Sequence, residues 1–296
     1  MKCGFVSLVG RPNVGKSSLL NSILGMKLAI TSNVSGTTRN IIQGIYNDDD
    51  SQIVFVDTPG VHKPKNKLGN LMNKKAYNNT EGVDIILFLV DISKGFGKGD
   101  QFILDKIKDK NIPVFLLLNK IDLVKNKEKL LKEIDELKDL YNFEEIIPIS
   151  ATKKDNINLL IDCIKKRLDE SEAIFSEEDL TNVSTRFIMA EFVREKVLEL
   201  THDEIPHTVT CYVENYEEEK DLVHIQVLIV VDRDNLKKII IGKQGSLLKE
   251  IGTRARLDME NFLGKKVFLE TYVKTLKNWR DQEKYFLELG LKDEDE

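Results

Sequence analysis

Short apolar runs alternate with amphipathic stretches along the first part of the chain. The apolar runs have the length of buried strands and lie at residues 5–9, 53–56, 85–90, 114–118 and 145–149. The stretches between them carry apolar residues at helical spacing and lie at residues 19–24, 67–79, 100–110, 127–141 and 156–168. Strands that are apolar on both faces are typical of a parallel sheet covered by helices on both sides. The pattern therefore predicts an α/β domain with a doubly wound, mainly parallel sheet at residues 1–170.

A different order of elements follows an acid-rich stretch without steady periodicity. We interpret that stretch, residues 171–183, as a linker. Beyond it, the pattern predicts helices at residues 185–200, 235–240, 246–262 and 279–289. Strands are predicted at residues 208–214, 222–231 and 266–273, with an acidic turn at 217–220. The mixed order predicts an α+β domain at residues 184–296.

Composition and charge narrow the class of protein. The 296 residues are 41% hydrophobic and 31% charged, as in globular proteins, and no apolar run approaches the ~20 residues of a membrane span. The first strand begins almost at Met1, so we expect no signal peptide. Three widely separated cysteines, Cys3, Cys163 and Cys211, favour neither a disulfide framework nor a zinc site. We expect reduced thiols in the cytosol.

The net charge of −5 hides a basic block. Residues 233–280 carry twelve Lys or Arg against five acids, whereas residues 281–296 carry seven acids against two Lys. The acidic end, residues 293–296, is predicted to be disordered and masks the basic block in the sum. The second domain therefore has the charge expected of a protein that binds a polyanion.

A phosphate-binding loop follows the first strand. Its pattern G-x-x-x-x-G-K-S precedes an amphipathic helix, as this loop requires. Glycines let successive main-chain N–H groups approach the phosphates, Lys16 is placed to meet the β- and γ-phosphates, and Ser17 to hold Mg²⁺. The candidate nucleotide-binding residues here are Gly10, Arg11, Pro12, Asn13, Val14, Gly15, Lys16, Ser17 and Ser18.

Residues after two later strands select the base. A carboxylate at Asp122 can accept from N1–H and N2–H₂ of guanine, a donor pair that adenine lacks. Asn119, Lys120 and Asp122 follow one strand, and Ser150 and Ala151 follow the next. In this order the chain resembles the translation-factor-related GTPases. The alternatives are ordinary capping by Asn119 and Asp122, and an ATP-dependent small-molecule kinase that shares the phosphate loop.

The same resemblance implies a magnesium site and a γ-phosphate contact. Asp57, in the run Asp57-Thr58-Pro59-Gly60, is expected to hold Mg²⁺ through a water, and the Gly60 N–H to meet the γ-phosphate. The polar stretch at 35–39 suits a loop that orders with γ-phosphate and metal, and Thr38 is the predicted ligand, with Thr37 as the alternative. We expect Lys16, Thr38 and Gly60 to act in catalysis.

The position after Gly60 departs from the Ras-like pattern. Ras-like enzymes have a water-positioning Gln there, whereas this chain has Val61. Val61 resembles the subgroup with a hydrophobic residue at this place, so another group must position the water. Arg11 and Arg39 lie nearby in the sequence but are interpreted as solvated loop residues. Relatives with an asparagine like Asn13 can use a monovalent cation, so we expect K⁺ to raise turnover, unless Asn13 serves only loop structure.

A second glycine-containing loop lies in the basic block. The run Ile240-Ile241-Gly242-Lys243-Gln244-Gly245 precedes a predicted helix and resembles the G-x-x-G loop of KH modules, which clamps about four nucleotides. A lone G-x-x-G is usually only a turn, and charged residues near it are usually a solvated face. The order of elements matches the type II KH fold. Candidate RNA-binding residues are Lys237, Lys238, Ile241, Gly242, Lys243, Gln244, Gly245 and Arg254. Arg256 is a further candidate, and Trp279 is expected to pack the last helix.

The two halves together resemble the Era GTPases over nearly the whole chain. The resemblance implies a GTP-hydrolysing switch that binds small-subunit ribosomal RNA near its 3′ end and assists small-subunit assembly. It also implies Mg²⁺, GTP as substrate, a cytoplasmic location and peripheral contact with the inner face of the membrane; we expect a monomer. The alternative is a GTP-gated, membrane-associated signalling or cell-cycle protein that uses the KH-like domain for protein contacts.

Overall fold

The computed structural model of the chain describes residues 1–32, 34, 37–60, 66–78 and 82–289. Ser35, Gly36, Val61 and the acidic end at 293–296 lie outside the described residues. The chain divides into two compact units. The first comprises Met1–Ala29, Thr38–Lys63 and Leu71–Asn182, and the second comprises Ile30–Thr37, Pro64–Asn70 and Val183–Glu296.

Six strands form the sheet of the first unit. They are β1 (Lys2–Gly10), β2 (Ile42–Asp48), β3 (Ser51–Asp57), β4 (Ile85–Asp91), β5 (Val114–Asn119) and β6 (Glu145–Ile149). The order across the sheet is β2-β3-β1-β4-β5-β6, with only β2 antiparallel to its neighbour. The helices of this part of the chain are α1 (Lys16–Leu24), α2 (Lys67–Asn78), α3 (Lys98–Ile107), α4 (Lys127–Leu137) and α5 (Ile157–Arg167). The predicted α/β domain with a mainly parallel sheet is confirmed.

The middle of this sheet is the core of the first unit. Every residue of β3, β4 and β5 is buried, as the apolar runs at 53–56, 85–90 and 114–118 predict for their central parts. Phe88 and Phe115 are fully buried, and burial of one such side chain contributes about 1.5–3 kcal/mol. This core fixes the carboxyl ends of the strands, where ligands of doubly wound sheets bind.

The second unit contains a mixed three-stranded sheet and the helices that cover it. Its strands are β7 (Thr210–Glu218), β8 (Leu222–Val231) and β9 (Lys266–Thr275), with β7 antiparallel and β9 parallel to β8. Its helices are α6 (Thr185–Leu200), α7 (Ile205–Thr208), α8 (Asp234–Ile241), α9 (Ser246–Leu263) and α10 (Lys284–Glu288). This is the predicted α+β domain.

Several details differ from the sequence prediction. The edge strand β2 and the short helix α7 were not predicted, and β7 begins at Thr210 rather than at 208. Strand β7 runs on to Glu218, so the acidic turn starts later than 217. The predicted helix at 279–289 is instead a 3₁₀ turn at Trp279–Asp281 followed by α10, because Gln282 between them has extended backbone angles.

The stretch interpreted as a linker is hydrogen-bonded to the first unit up to Asn182. The side chain of Gln52 accepts from the N–H groups of Ile174 and Phe175 at 2.7 and 2.8 Å. Thr181 forms a bridge with Gly44, and the side chain of Asn182 accepts from the N–H of Gln43 at 2.9 Å. These contacts give the stretch a defined path along the edge strand.

Candidate nucleotide site and nucleic acid groove

The phosphate loop joins β1 to α1 through two glycines that no other residue could replace. A Cβ on Gly10 would lie 2.6 Å from the carbonyl oxygen of Leu89. Gly15 has φ 102°, and a Cβ there would collide with the side-chain amide of Asn119. Left-handed backbone angles are open to glycine at little cost. The loop can therefore turn its N–H groups toward one point at the start of α1.

Lys16 is held inside this loop. Its Nζ donates to the carbonyl oxygens of Gly10 and Arg11 at 3.1 and 3.2 Å, and the residue is 6% exposed. Burial lowers the pKa of Lys16, and the nearby Asp57 carboxylate opposes that effect. A buried ammonium with only carbonyl partners is well placed to favour a polyanionic phosphate chain.

Three oxygen-bearing side chains meet beside Lys16. Ser17 Oγ donates to Asp57 Oδ2 at 2.6 Å and lies 2.9 Å from Thr38 Oγ1. Burial raises the pKa of Asp57 to about 6. Within the described residues its other oxygen, Oδ1, is buried without a hydrogen-bond donor. Two hydroxyls and a carboxylate with a spare oxygen are the hard donors that Mg²⁺ prefers, so these residues fit the ion.

The structure distinguishes the two threonines that the sequence left open. Thr37 Oγ1 donates to the Val34 carbonyl at 2.7 Å and lies 2.6 Å from Ser32 Oγ. Its hydroxyl is thus used within its own loop. Thr38 alone of the pair has its hydroxyl at Ser17.

The run after β3 packs against the phosphate loop. Thr58 Oγ1 donates to the Leu8 carbonyl at 2.8 Å, and Pro59 is buried. A Cβ on Gly60 would lie 2.9 Å from the Cα of Pro12, so the two main chains are in close contact. This places Gly60 beside the loop that binds phosphate.

Asn119 ties three loops together. Its Nδ2 donates to the Val14 carbonyl at 2.7 Å, and its Oδ1 accepts from the N–H groups of Lys120 and Ala151 at 2.8 and 3.0 Å. Asn119 is 1% exposed, so these bonds are shielded from water. The base-selecting loops and the phosphate loop are therefore built as one structure.

The residues around Asn119 complete this site. Lys120 Nζ donates to the Asn13 carbonyl at 2.7 Å and to Asp91 Oδ2 at 2.8 Å. Asp122 is exposed, and its Oδ1 accepts from Ser150 Oγ at 2.6 Å, which fixes the carboxylate. Asp91 was not among the predicted residues, although its position at the end of a buried strand was a usable signal.

Neither nearby arginine is the solvated loop residue that the sequence suggested. Arg11 forms a two-point ion pair with Asp100 on α3, with both N···O distances 2.7 Å, and Asp100 is fully buried. Arg39 is 6% exposed. Both side chains are part of the folded framework.

The G-x-x-G turn projects between α8 and α9. Gly242 has φ 73°, and a Cβ there would lie 2.8 Å from the Leu247 Cβ. Gln244 and Gly245 also have left-handed backbone angles, with φ 52° and 79°. The side chains of Lys243 and Gln244 are exposed at the tip, while Ile241 is half-buried beneath it.

A groove of about 380 Å³ begins at this turn. It lies between α9 and β9 and is lined by Gly245, Leu248, Lys249, Gly252, Thr253, Arg256, Leu269 and Thr271. Its walls combine leucine side chains with hydroxyl and cationic groups, which suits an unstacked base beside a sugar-phosphate chain.

Of the predicted RNA residues in the turn, Gly245 lines the groove, and Gly242, Lys243 and Gln244 come directly before it. Lys237 is half-buried and Lys238 exposed on α8. Arg254 is exposed and donates to Glu250 at 2.7 Å, whereas Arg256, two residues on, lines the groove. Trp279 is fully buried and donates to the Thr208 carbonyl at 2.8 Å, so it packs as expected.

No helix among the described residues is both long enough and apolar enough to cross a membrane.

Comparison with known proteins gives matches to both units. Residues 5–120 match a family model described as 50S ribosome-binding GTPase, and residues 204–280 match one described as KH domain. A crystal structure of a point variant of Era from Aquifex aeolicus, bound to GDP and AlF₄⁻, is 41% identical with a TM-score of 0.95. A structure of Era with MgGDPNP and nucleotides 1506–1542 of 16S ribosomal RNA has the same identity and TM-score. Each alignment covers 98% of this chain and 99% of the other.

Proposed function

The chain belongs to the Era family of GTPases, and from this membership we propose a GTP-hydrolysing switch that binds small-subunit ribosomal RNA near its 3′ end. In this role it assists assembly of the small ribosomal subunit. The observation that carries the proposal is the meeting of Ser17, Thr38 and Asp57 in a chain that also has a G-x-x-G turn with a groove. The first feature senses a metal-bound triphosphate, and the second holds a nucleic acid strand.

The phosphate loop binds the triphosphate of GTP in this proposal. Main-chain N–H groups from residues 10–18 surround the phosphates, and Lys16 exchanges its carbonyl partners for phosphate oxygens. Ser17 and Thr38 would hold Mg²⁺ directly and Asp57 through a water. The ion would neutralise charge between the β- and γ-phosphates.

Guanine is recognised at the other end of the site. Asp122 accepts from N1–H and N2–H₂ of the base, with Ser150 holding the carboxylate in place. The main chain at Ala151 borders the base, and Lys120 and Asn119 keep these loops against the phosphate loop. Gly60 supplies an N–H to the γ-phosphate.

Hydrolysis needs a positioned attacking water, and this chain has Val61 where Ras-like enzymes have the glutamine that positions it. The side chain of Val61 cannot hydrogen-bond, and the ion pair with Asp100 commits Arg11 elsewhere. We assign part of this electrostatic role to K⁺ beside Asn13, whose left-handed backbone (φ 64°) is held by Lys120 at its carbonyl. Turnover should be faster in potassium than in sodium buffer of equal ionic strength. Equal rates would remove K⁺ from the account.

The KH unit binds RNA through the turn and the groove. Lys243 and the main chain of the turn contact the sugar-phosphate chain, while bases enter the groove beside Leu248 and Leu269. The related Era structure contains nucleotides 1506–1542 of 16S ribosomal RNA, which is why the small subunit is favoured. The family model for residues 5–120 is described by the large subunit, so the large subunit is the competing partner.

Nucleotide state and RNA binding are coupled in the proposed switch. GTP and Mg²⁺ order the loop around Thr38 and the residues after Gly60, and hydrolysis releases them. The change alters how the KH domain meets RNA. We further propose a cytoplasmic monomer whose contact with the inner face of the membrane is peripheral.

Two measurements test the function. Purified protein should hydrolyse GTP and not ATP in the presence of Mg²⁺. It should cosediment with isolated small subunits in a GTP analogue, and much less with large subunits. Preferential cosedimentation with large subunits, or binding to membranes without RNA binding, would overturn the proposal.

A further inference from the structure

The middle of helix α6 is buried on all sides although four of the residues there are charged. Every residue from 188 to 198 is buried, including Glu191, Arg194, Glu195 and Lys196. Charges removed from water are costly unless each finds a partner. The partners of these four side chains therefore identify the segments that the helix binds.

Arg194 holds the main chain of the loop that carries the threonines. Its Nε and Nη2 donate to the two carboxylate oxygens of Glu191, both at 2.6 Å, which fixes the guanidinium. From this position Nη2 also donates to the carbonyl oxygen of Thr37. Its Nη1 is buried and has no acceptor among the described residues.

Glu195 holds the other end of the same loop. Its Oε1 accepts from the N–H of Thr31 at 2.9 Å and lies 3.4 Å from the Thr31 hydroxyl. Segment 30–37, which belongs to the second unit, is thus attached to one helix at both ends. A lysine in place of Arg194 could not bind Glu191 at two points and the Thr37 carbonyl as well. An aspartate in place of Glu195 would be one methylene too short for the contacts with Thr31.

The chain passes from the second unit to the first between Thr37 and Thr38. Thr37 gives its carbonyl to Arg194, and Thr38 has its hydroxyl 2.9 Å from Ser17 Oγ. Adjacent Cα atoms are about 3.8 Å apart across a planar peptide. Arg194 therefore holds the peptide carbonyl directly before Thr38, the residue whose hydroxyl would hold Mg²⁺.

Lys196 continues the network to the helix that follows the G-x-x-G turn. Its Nζ lies 2.9 Å from Glu195 Oε2, 3.2 Å from Glu199 Oε2 and 2.9 Å from Asp258 Oδ2. Asp258 is on α9, two residues after the groove residue Arg256. The ion pairs form a continuous path from segment 30–37 to α9, the helix that lines the groove with its other face.

We propose that Arg194 and Glu195 are positioning residues for Thr38, and that the Lys196–Asp258 ion pair links this loop to α9, the helix that carries the RNA groove. The inference rests on the proposed function, because it names the residues that couple nucleotide to RNA. Couplings of this kind change affinity by about 5- to 150-fold. Removal of one link abolishes the coupling and leaves both ligands able to bind.

The test compares RNA affinity in two nucleotide states. Full-length protein is titrated with labelled RNA of the sequence 1506–1542 of its own 16S RNA, with Mg²⁺ and either GDPNP or GDP. We expect the wild type to bind at least fivefold more tightly with GDPNP. Asp258→Asn should reduce this ratio to below twofold while the affinity with GDP stays within twofold of wild type. Glu199→Gln, which removes another partner of the same Lys196, is the matched control and should keep the ratio.

A second variant covers the case in which Asp258→Asn does not fold. Arg194→Lys keeps the charge but loses the fork geometry that binds Glu191 and Thr37 together. It should weaken Mg²⁺-dependent GDPNP binding about tenfold, leave GDP binding unchanged and lower the RNA ratio. If either folded variant keeps the wild-type ratio of RNA affinities with GDPNP and with GDP, this inference alone is overturned. A wild-type ratio near one overturns the inference and the proposed coupling together, and absence of RNA binding overturns the proposed function as well.

Discussion

The side-chain amide of Asn119 donates to the carbonyl oxygen of Val14 at 2.7 Å and so fastens the phosphate loop to the base-selecting strand. The same side chain accepts from the Ala151 N–H at 3.0 Å. The loops proposed to bind guanine and phosphate are consequently held together as one framework. We expect a change at Asn119 to affect both ends of the proposed nucleotide site.

Asn119→Ala tests this connection. The substitution leaves the Val14 carbonyl and the Ala151 N–H without partners, and each buried unsatisfied group costs about 1–3 kcal/mol. We expect the unfolding free energy to fall by about 2–4 kcal/mol, and GTP and GDP affinities to fall together by at least about 100-fold. Calorimetric titration and thermal unfolding measure both effects. Gln101→Ala, at an exposed position of α3, is the control; selective loss of only one nucleotide would contradict a shared framework.

Asp122→Asn should change the base that is bound. An asparagine presents one acceptor and one amide donor, so it no longer matches the two donors of guanine but does match xanthine. We expect GTP affinity to fall by at least about 10³-fold and XTP affinity to rise. The control, Ser150→Ala, should weaken GTP binding only about tenfold without altering base preference. Unchanged preference for GTP in Asp122→Asn would place guanine elsewhere.

The ion pair between Asp48 and Lys165 predicts a pH-dependent contribution to stability. Their N···O distance is 2.5 Å, and Asp48 also accepts from Ser51 Oγ at 2.7 Å and Tyr46 OH at 2.9 Å. Although burial opposes it, hydrogen bonds from Lys165 and Ser51 hold the pKa of Asp48 well below its usual range. Burial likewise opposes the shift at Lys165, but its bonds to the aspartates raise the pKa of that ammonium.

The two pKa shifts determine how the stability contributed by this ion pair changes with pH. A carboxyl with a lowered folded-state pKa stabilises fully above its ordinary pKa of about 4, and this stabilisation is lost as pH falls further. The raised pKa of Lys165 gives a contribution that is present below pH ~10 and lost above it. Asp48→Asn should cost about 1–2 kcal/mol at pH 7 and less at pH 3.5, by calorimetry. The control Asp139→Asn, at an exposed position, should leave the unfolding free energy at both pH values unchanged. A pH-independent deficit in Asp48→Asn would rule out the ionic origin.

Two arginines on one helix should differ in RNA binding. Both pair with a glutamate one turn away, Arg254 with Glu250 and Arg256 with Glu260, but only Arg256 lines the groove. Arg256→Gln should weaken binding of a 16S fragment about 5- to 30-fold and lower the salt slope by about one. Arg254→Gln should stay within about twofold. Equal losses would show that charge on α9, rather than the groove, determines binding; anisotropy titrations at several salt concentrations distinguish the two.

The strands and loops that could be predicted from the sequence are those marked by a run of neighbouring residues. The ends of β1, β3 and β5 carry contiguous motifs, so Gly15, Asp57 and Asn119 can be assigned from the order of residues alone. Strand β2 escaped prediction because Gly44 and polar residues interrupt it; a Cβ on Gly44 would lie 2.7 Å from Leu20 Cδ1. Its place is set by close packing against α1, which periodicity does not reveal.

Buried charges were the other source of error. The helical pattern at 185–200 does not show that Glu191, Arg194 and Lys196 are enclosed, because their burial depends on tertiary contacts. Arg39 was predicted to be a solvated loop residue and is buried. Arg256 and Arg254 differ only in the direction of their side chains on α9, which depends on the packing of that helix against β9.

Crosslinking the protein to RNA in living cells, followed by sequencing of the bound fragments, tests the central claim most directly. The account predicts that crosslinks concentrate near the 3′ end of 16S ribosomal RNA and decline in a Gly242→Asp variant, whose side chain cannot fit beside Leu247. Crosslinks concentrated in large-subunit RNA, or an undiminished 16S signal in Gly242→Asp, would contradict it.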